Sequence, residues 1–219
     1  MSGHHESAAR GPDARMVDRL LFFSDAVFAI VLTLLILDLR PPALAGLSGN
    51  DVWAALLRVA PHFSAFALSF AIVAMWWGLH MRVTRNFARF DGLTMVLNLL
   101  FLFTITLMPF VAGLLGVSNW NSPDAFAIYW AVNGAAASAL FLMTLFATRG
   151  GGKFLAAPLS LGERVFVIYQ NFVPVPVMFA STWLALHGLM AQSAMSTAAI
   201  PVLVGIGRIF HRKPKEASA

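Results

Sequence analysis

Residues 19–42, RLLFFSDAVFAIVLTLLILDLRPP, constrain this chain more than any other stretch. Leu20 to Leu39 supplies roughly the 20 apolar residues that a helix needs to cross the hydrocarbon core of a bilayer. Asp25 stands well inside that run. A carboxylate facing lipid costs at least ~2.5 kcal/mol on insertion scales, so Asp25 must face protein or water and marks a polar site. A second pattern overlays the first: Ile30, Leu34 and Leu37 recur at i, i+4 and i+7, an apolar seam along one side of the helix.

The whole chain agrees with a membrane environment. Of its 219 residues 59% are hydrophobic and 11% charged, far from the balance of a soluble domain. The expected fold is an all-α integral membrane protein of about six transmembrane helices. Residues 1–18 form an N-terminal tail, 19–211 one transmembrane domain, and 212–219 a basic C-terminal tail. The first helix is followed by no cleavage-type segment and reads as retained. The absence of cysteine excludes disulfides, thiol catalysis and thiolate-held metal.

Turn and cap signals place the remaining helices. Pro41 and Pro42 end the first. The second starts near Asp51, with its main apolar run from Pro61 to His80. The third spans about 93–116 with a kink at Pro109. Ser122, Pro123 and Asp124 supply a cap, a first-position proline and a first-turn acid for the fourth, which runs to about Ala147. Ser160 and Glu163 have capping-box spacing for the fifth, about 163–187, bent by Pro174 and Pro176. The sixth, about 194–210, contains Pro201. No internal duplication is evident.

Alternate loops differ sharply in Lys and Arg. Arg10, Arg15, Arg19, Arg82, Arg85, Arg89, Arg149, Lys153, Arg164, Arg208, Arg212, Lys213 and Lys215 fall on one side, and Arg40 and Arg58 on the other. Both termini are therefore expected in the cytoplasm. The same bias accounts for the net charge of +5 without invoking nucleic acid.

With helix directions set, Asp25 lies about 8 Å into the first helix, level with Trp76, Trp77 and His80 at the end of the second and Asn98 near the start of the third. Ser24, Asp25, Trp77, His80 and Asn98 are expected to satisfy one another there, with Arg19 adding charge. At helical spacing Asp25 is roughly 140° around from Ile30, so network and seam face different ways; Thr33 is roughly 60° from Ile30. Spacing alone leaves open whether the seam meets lipid, a neighbouring helix or an axis. His4 and His5 read as solvated, His62 and His187 as interfacial rings, and glycines 150–152 as a turn rather than a phosphate loop.

The pattern Arg19, Phe23, Ser24, Asp25, continued by Phe28, Ala29, Ile30, Thr33, Leu34, Leu35, Asp38 and Pro41, resembles the RxxxFSD first helix of the endosomal and lysosomal potassium channel family called transmembrane protein 175. Ser69, Phe70, Trp76, Trp77 and His80 resemble that family's second helix, and Asn98, Leu99, Leu100, Pro109 and Phe110 its third. Ala26 departs from the glycine common after the aspartate.

The resemblance implies a passive potassium-selective channel rather than an enzyme, without a carbonyl filter, assembled as a homotetramer with helix one of each six-helix subunit lining a central pore. It implies apolar pore layers at Ile30, Leu34 and Leu37 with Thr33 beside them. Arg19, Phe23, Ser24 and Asp25 would fix helix one against helices two and three. No cofactor or metal is expected; potassium is the permeant ion and membrane lipid the surroundings. Two other readings are a proton-coupled transporter using Asp25 and His80, and a scaffold protein in which the seam is a dry helix contact.

Overall fold

The computed structural model describes residues 12–46, 48–85, 87–149, 154–157 and 159–211. Residues 1–11 and 212–219, and with them His4, His5 and most of the two tails, lie outside the described residues, as do glycines 150–152 and Lys153.

Among the described residues ten α-helices occur in chain order: α1 Pro12–Leu34, α2 Asn50–Leu57, α3 Ala60–Thr84, α4 Gly92–Thr106, α5 Met108–Val117, α6 Pro123–Ala147, α7 Leu161–Phe172, α8 Pro174–Leu186, α9 Met190–Ser196 and α10 Ala199–His211. A 3-10 turn, Leu35–Asp38, extends α1. These make six membrane-length apolar spans, because α4 with α5, α7 with α8, and α9 with α10 each form one span in two pieces.

Proline explains two of the breaks. Pro109 and Pro174 sit in the first turns of α5 and α8, where a missing N–H and a fixed φ favour starting a helix over continuing one. At both prolines the chain keeps helical φ and ψ, −79° and −12° at Leu107 and −49° and −44° at Val173, so each break is a local loss of helix hydrogen bonding within one span. The short α2 is a separate helix, and its N-cap is Gly49, with Asp51 in the first turn instead. Helix α1 begins at Pro12, earlier than the apolar run, since proline suits a first helical position.

Caps follow the sequence signals elsewhere. The Ser122 hydroxyl accepts from the Ala125 N–H at 3.2 Å, opening α6. Ser160 and Glu163 form a reciprocal capping box at α7. Asp91 does the same with Thr94 at α4, accepting the Thr94 N–H at 2.8 Å while its own N–H donates to the Thr94 hydroxyl at 3.0 Å. These bonds hold the Asp91 carboxyl below its ordinary titration range, the Thr94 hydroxyl contributing most. Helix α8 ends in a left-handed Gly188, φ +77°, with Leu189 N–H on the Leu184 carbonyl and Gly188 N–H on that of Ala185.

Helix α6 is the post of the bundle, touching α4, α5, α7, α8 and α9, and 61% of its apolar window is buried. The span built on α1 is only 22% buried and packs at the perimeter against α3, α4 and α5. Trp76, Phe101, Tyr129 and Met143 fill the core between α3, α4 and α6. On the other side α5 approaches α3 closely: a Cβ added at Gly116 would lie 2.9 Å from the His62 ring. His62 is thus a packing residue as well as an interfacial one.

Candidate functional site

Helix α1 presents two opposed faces. Ser24, Phe28, Val31 and Leu35 recur at i, i+4, i+7 and i+11 and are buried, the first three against α3 and α4 and Leu35, in the 3-10 turn, against α3 and α5. Across the helix Ile30, Leu34 and Leu37 are exposed, Ile30 to 57% and Leu37 to 68%. Thr33 is exposed beside them; its hydroxyl donates to the Ile30 carbonyl at 2.7 Å, which leaves the oxygen as an acceptor.

The packed face ends in a polar chain through three helices. The Ser24 hydroxyl donates to the Leu20 carbonyl at 2.9 Å and accepts from Asn98 Nδ2 at 3.2 Å. Asn98 Oδ1 lies 2.7 Å from His80 Nε2. With the Asn98 amino group committed to Ser24, its carbonyl oxygen can only accept, so His80 carries a proton on Nε2. The His80 ring stacks on Phe101 with centroids 5.3 Å apart and meets Phe28 at 5.9 Å. All three polar residues are fully buried, a setting where pairing is obligatory.

Asp25 belongs to a separate set. Its carboxylate accepts from Trp77 Nε1 at 2.9 Å on a surface that stays exposed in the single subunit. The expected single network is therefore two. Successive helical residues point about 100° apart, so Ser24 and Asp25 cannot share one partner. Arg19 and Phe23 are exposed too, and helical spacing puts them on the side of Ile30 rather than on the packed face. Of the RxxxFSD residues, Ser24 and Asp25 alone join α1 to its neighbours within the subunit through the hydrogen bonds described.

A further polar set ties α3 to α6. Trp76 Nε1 donates to Asn133 Oδ1 at 2.9 Å, Asn133 Nδ2 to the Tyr129 carbonyl at 2.9 Å, and Ser69 and Tyr129 share a hydroxyl pair at 3.1 Å. Asn133 and Tyr129 were not among the residues expected from sequence. A lone asparagine within an apolar span was the available signal, the same one that marks Asn98.

The geometry of α1 to α5 can be compared with known proteins. A family model described as endosomal/lysosomal potassium channel TMEM175 matches residues 19–109, which hold the α1 faces and both α1 polar contacts. A potassium channel of Streptomyces collinus is 34% identical over 184 residues, covering 79% of this chain and 88% of that one. The chain belongs to the TMEM175 family. A potassium channel of Chamaesiphon minutus is 35% identical over 104 residues, 48% of this chain and 51% of that protein. The endosomal/lysosomal proton channel TMEM175 of Rattus norvegicus is 30% identical over 97 residues, 44% of this chain but 19% of the rat protein.

The fold agrees over almost the full length. The crystal structure of a lysosomal potassium-selective channel TMEM175 homolog from Chamaesiphon minutus superposes with a TM-score of 0.71, covering 91% of this chain and 100% of that one at 23% identity. The chain is thus a multi-pass membrane protein with the six-span TMEM175 fold, a fold of channels.

Proposed function

We propose that this protein is a potassium-permeable channel of the bacterial inner membrane, conducting passively through a pore lined by α1 of four copies. The observation that carries the reading is the division of α1: an apolar stripe of Ile30, Leu34 and Leu37 stands free opposite the face that holds the subunit together. Membership of a family whose bacterial relatives are named potassium channels gives that stripe its meaning.

In this reading each of the three residues contributes one side chain per subunit to an apolar ring. Such rings gate by dewetting and favour ions that shed water cheaply, which ranks potassium above sodium. Thr33 offers an oxygen next to the Ile30 ring. The Asp25–Trp77 pair, exposed in one subunit, becomes covered when a neighbour packs beside α1, which suits a carboxylate at membrane depth. Arg82, Arg85, Arg89, Arg149 and Arg164 crowd one side of the bundle and support cytoplasmic termini. The transmembrane unit spans 19–211 and the flanking segments serve as tails; no cofactor is required.

The vertebrate relatives named proton channels support a second reading, in which protons move by way of Asp25 and His80. Liposome flux separates the two. Purified protein under potassium, rubidium, caesium and sodium gradients should pass the larger ions preferentially without a pH gradient, and Ile30→Asn should erode that preference. Flux that requires a pH gradient and disappears in Asp25→Asn would replace the pore reading with the proton one.

A further inference from the structure

On the basic side of the bundle, away from α1, a pocket of about 300 Å³ opens between the end of α3, the end of α6 and α7. Its polar lining is Arg82, Arg85, Thr144, Thr148 and Gln170. Two arginines, two threonines and a glutamine line it, and no carboxylate is among the described lining residues. Arg82 and Arg85 are three apart at the end of α3, so both guanidinium groups can reach one point.

The pocket is built rather than incidental. An antiparallel bridge pairs Phe87 with Leu155, and the Ala88 N–H donates to the Phe154 carbonyl at 2.8 Å, which clips the α3–α4 turn to the α6–α7 connection. Phe87 packs on Phe90 at 4.9 Å, and the Arg89 guanidinium sits 5.2 Å over the Phe154 ring. Phe87 and Leu155 both form part of the pocket wall. Thr144 and Thr148 each donate to a carbonyl one turn back at 2.9 Å, so their hydroxyl protons are held by α6 itself and the donors left in the lining are the two arginines and Gln170.

We propose that this pocket binds a phosphate-bearing anionic group. Paired arginines beside the Gln170 side-chain amide, with no acid among the described lining residues, are the donor chemistry that holds phosphate oxygens. The volume is that of a small ligand site, larger than a bare monatomic ion needs. Phe166 also forms part of the wall of an apolar groove between α7 and α10, lined by Leu161, Val165, Tyr169 and Ile206. A polar pocket and a hydrocarbon groove that meet at one phenylalanine fit the headgroup and acyl chain of an anionic phospholipid. A soluble phosphate compound is the other source of the same chemistry.

Native mass spectrometry of the purified protein in phosphatidylglycerol/phosphatidylcholine mixtures tests the site. A parallel melting series uses inorganic pyrophosphate in phosphatidylcholine-only nanodiscs. Retention of phosphatidylglycerol, weakened about tenfold in Arg82→Gln/Arg85→Gln but unchanged in Arg58→Gln, would assign the pocket to lipid. Stabilisation by pyrophosphate, lost in the same double variant, would assign it to a soluble anion. Gln170→Glu sets a carboxylate against the same point without removing either arginine and should weaken binding equally, so the test survives if the double variant fails to fold. Equal retention of phosphatidylglycerol by all variants, or no binding of either probe, would overturn the proposal.

Discussion

The Asp25 carboxylate and the Trp77 indole N–H meet at 2.9 Å on an exposed flank of the subunit, one residue along from the fully buried Ser24–Asn98 bond. Neighbouring residues of one motif thus serve two surfaces. Ser24 closes the subunit, and Asp25 stays on its exposed flank, where the proposed assembly would bring a second copy.

A double-mutant cycle measures that pair. Asp25→Asn and Trp77→Phe should each lower the melting temperature of the assembled protein, with a coupling of about 1 kcal/mol between them. Dissociation followed by size-exclusion chromatography should shift with the single variants, because the pair lies outside the subunit core. Additive effects would mean that the bond carries no energy.

Asn98→Leu removes the link between His80 and Ser24 and strands the buried His80 Nε2–H, while Ser24 keeps its bond to the Leu20 carbonyl. It should cost about 1–3 kcal/mol in thermal or denaturant unfolding. Ser24→Ala, which removes a hydroxyl but leaves the His80–Asn98 bond in place, should cost less.

The chain lacks cysteine, so single-cysteine variants report geometry directly. Leu37→Cys, on the exposed α1 stripe, should form an intersubunit disulfide under mild oxidation and run as a dimer on a non-reducing gel. Phe179→Cys, exposed on α8, should remain monomeric under the same conditions. The opposite result would place α1 away from the axis.

Gly116→Ala drives a methyl group to 2.9 Å from the His62 ring and should destabilise the protein by about 1–3 kcal/mol. His62→Ala in the same chain should recover most of that loss. Failure to recover would place the strain in the helix backbone instead.

The Asp91 cap should show in the pH dependence of stability. Its carboxyl titrates lower in the folded protein than in the unfolded chain, so its contribution is complete above the ordinary carboxylate pKa of 3.8 and fades as pH falls through the folded value. Asp91→Ala should cost about 1 kcal/mol at neutral pH, and the melting-temperature gap to wild type should close progressively below about pH 4.

The six spans were legible in the sequence because hydrocarbon thickness and proline leave few alternatives, and Ser122 and Ser160 announced their helices by local chemistry. Ser24, His80 and Asn98 were legible because polar side chains in apolar helices must find one another. The parting of Asp25 from that group was not, since it depends on the roll of α1 against α3 rather than on depth. Nor was the exact boundary between α7 and α8, since Val173 keeps helical φ and ψ and the missing Pro174 N–H marks the division. The α3–α6 set at Asn133 was not legible, because a single amide inside an apolar span calls for a partner without naming Trp76 as that partner.

Because α1 keeps its packed and free faces on opposite sides, the residues that make the fold and those left exposed scarcely overlap. Ile30, Leu34 and Leu37 can therefore drift in size and polarity with little penalty to Ser24, Phe28, Val31 and Leu35. A lineage built on this scaffold has room to retune its free stripe while inheriting the rest unchanged.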